Sequence, residues 1–181
     1  MSTNIIPDHI PSPVNSWHLA HTPLEAAATE IEWSLVRWWE AFNRYQNELL
    51  SRLSQGNLTP QEVHILHIIR MQDRPKSTSM VANLLNRDDI QNIQYSLRKL
   101  VAEKLIRKVK DGVGKSYSLA VTEKGKRFTE EIAELRRQFL IQQLGSMKDS
   151  EARLLEAART LGLMTAMYNE AGRMSLPDMP V

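Results

Sequence analysis

The sequence contains no cysteine. This absence excludes disulfide bonds, thiolate metal sites and sensing by thiol oxidation. The sequence also has no apolar run near the roughly 18 residues that a membrane helix requires. Its first residues lack the basic stretch and apolar core of a secretion signal. We therefore expect a cytoplasmic protein that does not associate with a membrane.

Patterns typical of catalysis are also missing. We find no nucleophile with its base and no glycine loop that would hold a phosphate, and the seven glycines lie at breaks between predicted elements. His64 and His67 share a helix face, but no third ligand stands at a supporting spacing. We therefore expect a protein that is not an enzyme and that has no metal ion or other cofactor.

The net charge of +2 is distributed unevenly along the chain. The segment from Arg70 to Arg127 holds 14 basic and 6 acidic residues, a net charge of +8. The remainder holds 9 basic and 15 acidic residues, a net charge of −6. A basic middle between acidic ends is typical of a nucleic-acid-binding module carried on another scaffold, although a charged run is often only a solvated surface.

The first part of the chain predicts an arm followed by a long helix. Three prolines favour an extended or flexible arm over residues 1–21. Thr22-Pro23-Leu24-Glu25 then supplies a capping threonine, a proline in the first turn and a capping-box glutamate. Apolar residues recur at steps of three and four from Leu24 to Leu53, which predicts a helix of about 30 residues. Such a long stripe favours a helix shared with a second subunit over one buried in a monomer.

The middle of the chain predicts three shorter helices and a hairpin. Thr59-Pro60-Gln61-Glu62 repeats the start signal, Ser77-Thr78-Ser79 offers caps for a short helix, and Asp88 or Asp89 begins another helix after a turn at Asn86-Arg87. Alternating segments at 105–110 and 115–121 flank a glycine-containing turn, which indicates a two-stranded hairpin. The predicted inner residues of the first and third helices are Val63, Leu66, Ile69, Ile90, Ile93, Leu97, Leu100 and Val101.

After the hairpin, Thr122 caps another long helix that Gly145 interrupts, and a last helix opens at Asp149 or Ser150. This order predicts a mainly α (α+β) fold: a winged helix-turn-helix with long N- and C-terminal helices. The predicted parts are a flexible arm (1–21), a dimerisation helix (22–56), a winged helix-turn-helix DNA-binding domain (57–125), C-terminal helices (126–171) and a flexible tail (172–181).

The helix that begins near Asp89 carries the candidate base-reading residues. Its amides suit adenine edges, and its basic side chains suit guanine edges or phosphates. The candidates on this helix, which can also be read as ordinary solvated surface, are Gln91, Asn92, Gln94, Tyr95, Arg98 and Lys99. Further candidate DNA contacts, before this helix and on the hairpin, are Ser77, Thr78, Lys108, Lys110 and Lys115.

The chain resembles the MarR family of bacterial transcription regulators over residues 24–170. The resemblance rests on the helix order and on the stretches 80–85, 100–106 and 119–125. It implies a homodimer in which the first helix and the C-terminal helices (126–171) are dimerisation helices that interlock. This dimer places two winged lobes on a pseudo-palindromic site in double-stranded DNA. The alternative function is a winged-helix module that binds another protein without DNA specificity.

The sequence departs from the family at the tip of the hairpin. Family members commonly carry an Asp-x-Arg signature there, whereas this chain reads Asp111-Gly112-Val113-Gly114-Lys115. Lys110 or Lys115 would have to replace the arginine. Lysine lacks the planar fork of arginine and favours phosphates, so we expect weaker reading of the minor groove.

The same resemblance implies a small-molecule pocket where the first helix meets the winged lobe. Its candidate residues are Trp33, Arg37, Trp38, His64 and His67. Aromatic walls with a few polar groups suit a small, weakly acidic aromatic effector. The alternative is that the tryptophans belong to the dimer core.

Overall fold

The computed structural model describes residues 17–53, 58–110 and 117–175. The helices are α1 (Pro23–Ser51), α2 (Pro60–Arg70), α3 (Thr78–Leu84), α4 (Ile90–Ala102), α5 (Glu123–Arg136), α6 (Gln142–Gly145) and α7 (Ser150–Met174), and the strands are β1 (Ile106–Lys110) and β2 (Tyr117–Val121). The chain divides into two compact units, of which the first ends at Thr129 and the second begins at Glu130. Among the described residues, no helix combines the length and the hydrophobicity that crossing a bilayer requires.

Both predicted helix start signals form capping boxes. At α1, Thr22 Oγ1 accepts from the Glu25 amide at 3.2 Å, and the Glu25 carboxylate accepts from the Thr22 amide at 2.8 Å. Thr59 and Glu62 repeat this exchange at α2. Because each exchange satisfies two amides that have no partner within the helix, the first residues of α1 and α2 are fixed locally.

The core of the first unit lies between α2, α3, α4 and the hairpin. Its fully buried side chains include Val63, Ile65, Leu66, Ile69, Val81, Ile93, Leu100, Leu105, Ile106 and Leu119. The predicted inner faces are therefore confirmed for most positions of α2 and α4. Ile90 is an exception, since it is exposed at the start of α4, where the chain has only just left the turn.

The hairpin is antiparallel and pairs Ile106 with Val121 through to Lys110 with Tyr117, which confirms the predicted ribbon. The predicted turn at 111–114, and Lys115, lie outside the described residues. A third segment joins β2 at Lys76, which exchanges backbone hydrogen bonds with Leu119 in both directions, at 2.9 and 2.8 Å. The wing is therefore tied to the chain that leads into α3.

The buried Lys76 side chain strengthens that link. Its ammonium group donates to the carbonyl oxygens of Met71 and of Arg74, the latter at 3.0 Å. Burial lowers the pKa of this lysine, but the carbonyl groups compensate for the lost water. The turn after α2 and the wing are thus held to each other by one residue.

Gly125 shows why α5 begins where it does. A Cβ atom at this position would lie 2.1 Å from the Leu105 carbonyl oxygen, so the backbones approach too closely for any other residue. Thr122, the predicted cap, accepts from the Gly125 amide at 3.0 Å and donates to the Lys104 carbonyl at 2.7 Å. The end of the wing is therefore anchored to the end of α4.

Residues just outside two predicted boundaries have defined contacts or helical structure. Residues 17–21 of the predicted arm lie on α1: the Trp17 and Trp33 rings meet edge to face at 5.4 Å, and Thr29 Oγ1 donates to the Leu19 carbonyl. An aromatic contact of this kind leaves no periodic signal in the sequence. At the other end, α7 continues to Met174, past the predicted start of the tail at residue 172. A single glycine weakens a helix by about 1 kcal/mol and does not by itself end it.

The second unit consists of helices only, within the residues that the structure describes. A π-helical turn (Arg137–Ile141), which the sequence did not predict, joins α5 to α6. No residue of the 25-residue α7 is buried. Its exposed large apolar side chains are Leu154, Leu155, Leu163, Met167, Tyr168 and Met174.

Candidate nucleic-acid interface

The turn between α3 and α4 is held by an arginine clamp on Asp89. Arg87 Nε donates to Asp89 Oδ1 at 2.6 Å, and a second Arg87 nitrogen donates to Asp89 Oδ2. Asn92 Nδ2 also donates to Asp89 Oδ2, at 3.1 Å. Asp89 occupies the predicted cap position, yet its side chain caps no amide because these two neighbours take the carboxylate. They hold the pKa of Asp89 at about 2, with the Arg87 hydrogen bond as the main cause.

One face of α4 is buried and the opposite face is free. Ile93, Leu97 and Leu100 turn inward, together with Ser96. Successive residues are rotated by about 100°, so the side chains on the opposite side recur at steps of three and four. The exposed candidates on that side, which we call the reading face, are Gln91, Gln94, Tyr95 and Arg98. Tyr95 is 63% exposed, which a core role would not allow.

Lys99 is placed differently from the prediction. Its ammonium nitrogen lies 2.9 Å from Glu62 Oε2 on α2. The Glu62 side chain is only 5% exposed, and the same oxygen accepts from the Thr59 amide at 2.7 Å. A buried carboxylate requires a compensating partner, which the flank of α4 facing α2 supplies. Lys99 therefore positions α4, and Asn92, bound to Asp89, also stands beside the reading face.

The wing meets α4 in a cleft of about 290 Å³. This wing cleft is lined by Thr78, Gln94, Leu97, Arg98, Val101, Lys108, Tyr117 and Leu119. The Lys108 ammonium lies 4.4 Å from the centre of the Tyr117 ring, a distance typical of a cation–π contact. Four predicted contacts from three elements thus converge here: Thr78, Gln94, Arg98 and Lys108. Tyr117 also lines this cleft but was not among the predicted contacts. Its position at the start of β2, paired with the basic Lys110, could have indicated it.

Ser77 and Lys110, two further predicted DNA contacts, lie outside the wing cleft. Ser77 Oγ accepts from the Met80 amide at 3.1 Å, so this hydroxyl caps α3 and is already engaged. Lys110 is exposed at the end of β1. The structure therefore presents Ser77 as a residue that orients α3, and Lys110 as a free-standing positive charge on the wing.

A second cavity, of about 690 Å³, lies between α1 and the start of α2. We call it the α1–α2 cavity; it is lined by Trp39, Phe42, Asn43, Asn47, Thr59, Pro60, Gln61, His64, Leu85 and Arg87. Among the five residues predicted for a ligand pocket, only His64 lines it. The His64 ring stacks on Phe42 at 5.5 Å, and Phe42 stacks on Trp38 at 5.0 Å. Burial lowers the pKa of His64, and its Nε2 atom has no hydrogen-bond partner among the described residues.

The structure does not bring the other four predicted pocket residues together. Trp33 packs against Trp17, and Arg37 binds Ser34 at 3.2 Å and lies 3.7 Å from Glu30. Trp38 is exposed at the outer end of the ring stack, and His67 is half-buried. The family resemblance implied these residues, whereas α1 turns Trp39 and Phe42 toward α2. Within the described ranges, no three His, Asp or Glu side chains form a group that could hold a metal ion.

Comparison with known proteins agrees with this geometry. Residues 58–125 match the family model of a winged helix DNA-binding domain. Similar solved structures include Streptococcus pneumoniae FabT in complex with DNA (15% identity, TM-score 0.61, 82% of this chain and 99% of that chain), a MarR family protein from Bacillus stearothermophilus (22%, 0.60, 78% and 97%) and the transcriptional regulator BldR from Sulfolobus solfataricus (20%, 0.64, 78% and 98%). No curated protein matches the sequence significantly.

Of these three structures, BldR is named as a transcriptional regulator and FabT as a complex with DNA. The matched residues begin just before α2 and end at the start of α5, so they include the reading face and the wing. The predicted mainly α winged fold is confirmed. The chain has the winged-helix fold of the MarR-type regulators, and its residues 58–125 match a winged helix DNA-binding domain.

Proposed function

We propose that this chain is a MarR-family transcription regulator that binds double-stranded DNA by placing α4 in the major groove. The observation that carries the proposal is the reading face, where amide, phenol and guanidinium groups stand exposed beside the Lys108–Tyr117 pair of the wing. This surface belongs to the segment with a net charge of +8. Two of the similar structures, FabT and MepR, are named as complexes with DNA, which supports the same role here.

The reading face offers different chemistry at each end. Gln91 and Gln94 lie in the first turns of α4, where a recognition helix contacts base edges, and their amides suit adenine. Arg98 stands one turn further along, and its planar fork suits guanine or a phosphate. Tyr95 offers a hydroxyl group and a ring between them. We expect these four residues to carry most of the sequence discrimination.

The wing and the start of α3 supply contacts to the DNA backbone in this proposal. Thr78 and Lys108 both line the wing cleft, and Lys110 adds a charge further along β1. Lys115 remains a proposed contact outside the described residues. Such contacts fix the position of a protein on DNA and contribute little to sequence choice.

A homodimer is the second part of the proposal. Leu163 and Met167 on α7 are 66% and 67% exposed, and no residue of that helix is buried. On α1, Val36, Trp38 and Trp39 are also at least half exposed. Apolar surface of this extent is typical of a helix that packs in an oligomer. A symmetric dimer formed by these helices would present two α4 helices to a pseudo-palindromic operator.

A small aromatic effector is the third part of the proposal. The α1–α2 cavity, rather than the predicted set of five residues, supports it. Its volume falls within the range of about 300–1,000 Å³ that is usual for ligand pockets. Trp39 and Phe42 form an aromatic wall, and amide groups together with His64 supply polar atoms.

A selection of binding sites from random duplexes tests the proposed function. We expect a two-fold related consensus and a steep loss of affinity with added salt, because bound cations are released from the phosphates. Gln94→Ala should relax the preference at one position of each half-site and lower affinity for the selected duplex by about 1–3 kcal/mol. Gln142→Ala on α6 is the matched control and should bind like the wild type.

Two outcomes would contradict the proposal. A selection that enriches no sequence, with equal binding of all duplexes, would argue against base reading by α4. Failure to bind any duplex in dilute salt would favour a module that binds another protein.

A further inference from the structure

We propose that the face of the wing turned away from the wing cleft binds an acidic segment of another protein through Arg74 and Arg107. This inference goes beyond the proposed function, because it gives the regulator a second surface that stays available while α4 contacts DNA. Neither arginine belongs to the reading face or to the wing cleft.

The surface is a groove of about 490 Å³, which we call the outer groove. Arg74 lines it from the turn after α2, and Arg107 lines it from β1. Both side chains are exposed. Among the described residues, neither guanidinium group has a hydrogen-bond or ion-pair partner. Two fixed positive charges from different elements therefore meet in one groove.

The acidic residues of the outer groove already have partners. Asp73 binds Arg70, and this hydrogen bond lowers the pKa of the Asp73 carboxyl group. Glu123 Oε1 lies 2.9 Å from Lys126 Nζ. The two free guanidinium groups thus have no counter-ion within the described groove. The planar fork of arginine suits a carboxylate through two parallel hydrogen bonds.

The charge of Arg74 also acts on a buried cation. After burial, Arg74 is the next largest cause of the lowered pKa of Lys76, whose ammonium group binds backbone carbonyl groups. Because like charges repel, a negative group beside Arg74 would offset this repulsion. The electrostatics of the outer groove therefore favour an anion.

The chemistry around the two arginines suits a protein segment better than a nucleic-acid backbone. Pro75, Ala120 and Val121 add apolar atoms to the lining of the groove. Apolar contacts beside arginine are typical of protein interfaces. The carboxylates of Asp73 and Glu123 on the same surface would repel a row of phosphates. A segment with acidic and apolar residues next to each other matches both features.

The outer groove and the wing cleft lie on opposite faces of the wing. Arg107 pairs with Ala120, and Lys108 pairs with Leu119. Because side chains alternate along a strand, neighbouring pairs point to opposite faces of the ribbon. The first pair lines the outer groove, and the second lines the wing cleft. A segment bound to Arg107 therefore leaves the wing cleft open to DNA.

Fluorescence anisotropy with a short labelled peptide tests the surface, using the full chain without DNA. The probe carries two aspartates separated by leucines, and its control carries asparagines instead and should bind more weakly. Arg74→Gln and Arg107→Gln should each weaken binding of the acidic peptide about threefold, as expected for an exposed ion pair. Arg127→Gln removes an exposed arginine of α5 outside the groove and should bind the peptide like the wild type.

Three results would overturn the proposal: no binding of the acidic peptide, equal binding of both peptides, or equal losses in Arg107→Gln and Arg127→Gln. Because Arg74 and Arg107 are exposed and lose no side-chain partner, their substitution should leave the fold intact, and urea denaturation checks this.

Binding of the selected duplex distinguishes this surface from a further DNA contact. Arg107→Gln and Arg127→Gln each remove one charge, so both should bind the duplex equally well. Saturation with the duplex should leave the affinity for the peptide unchanged. If Arg107→Gln alone loses affinity for the duplex, or if the duplex displaces the peptide, the outer groove contacts DNA and the proposal is wrong.

This inference and the proposed function can fail separately. If no duplex is bound but the acidic peptide binds through Arg107, the protein-binding surface stands and the DNA-binding function fails. If the selected duplex is bound but the acidic peptide is not, the function stands and the inference about the outer groove is wrong.

Discussion

The segment from α2 to β2 and the helix α7 use apolar residues in opposite ways. In the first, α2, α4 and the hairpin bury their apolar faces against each other, and most of the side chains left outside are polar or charged, with Met80, Leu84 and Ile90 among the apolar exceptions. In α7, large apolar side chains stay exposed along the whole helix. The middle of the chain therefore has a core of its own, whereas the exposed apolar side chains of α7 support the proposed dimer, in which this helix would pack against a second subunit.

The largest effect should come from placing charges on the exposed apolar face of α7. Leu163→Asp combined with Met167→Asp places two charges on that face and should abolish the proposed dimer. Burial of two such side chains stabilises association by about 3–6 kcal/mol, so the dissociation constant should rise at least about 100-fold. Sedimentation equilibrium measures this change. A wild type that is already a monomer at micromolar concentration would refute the dimer.

The next largest effect lies inside the core of the first unit. Leu100 is fully buried on α4, and Leu100→Ala should lower the free energy of unfolding by about 2–5 kcal/mol through lost contacts and a cavity. Urea denaturation at several protein concentrations measures it. Leu163→Ala is the control. Because Leu163 belongs to the proposed dimer interface, its effect on the free energy of unfolding should depend on protein concentration, whereas that of Leu100→Ala should not. A loss below about 1 kcal/mol for Leu100→Ala would contradict the described core.

Lys99 and Lys108 were both predicted as DNA contacts, but we expect their substitutions to affect stability differently. Lys99→Met leaves the buried Glu62 carboxylate without its partner, and Lys99 is itself partly exposed, so we expect a loss of stability of about 1–3 kcal/mol. Lys108→Met should change stability by less than about 0.5 kcal/mol and should instead flatten the salt dependence of DNA binding. Equal effects of both substitutions on stability would show that Lys99 is not a positioning residue.

The smallest predicted effect is the pH dependence of the Asp89 clamp. Folding lowers the pKa of Asp89 from 3.8 to about 2, so its contribution is complete above pH 3.8 and is lost as the pH falls through about 2. The wild type should therefore be more stable than Asp89→Asn at pH 5, and the two should converge toward pH 2. Urea midpoints between these limits measure the difference. If the urea midpoints of the wild type and of Asp89→Asn differ by the same amount at every pH, the contact between Arg87 and Asp89 does not stabilise the fold.

Local signals in the sequence predicted the local structure well. Thr22 with Glu25, Thr59 with Glu62, and Thr122 before α5 each act within three residues, and each forms the predicted cap. The same holds for the inner residues of α4, because helical periodicity decides which side is buried.

Contacts across long separations could not be predicted in this way. Lys99 binds Glu62, which lies 37 residues earlier, although Arg98, the residue directly before it, is exposed on the reading face. Trp33, one of the residues that the resemblance implied for a ligand pocket, contacts Trp17, which lies 16 residues earlier and outside the helix. Periodicity predicts which side of a helix is buried but not which residue packs against that side.

The central claim is that the reading face of α4 recognises base pairs in duplex DNA. The most direct measurement is the affinity of wild type and Arg98→Ala for the selected duplex and for a shuffled duplex of the same composition, by fluorescence anisotropy. We predict strong preference of the wild type for the selected duplex and a marked loss of that preference in Arg98→Ala. Equal affinity of the wild type for both duplexes would contradict the claim.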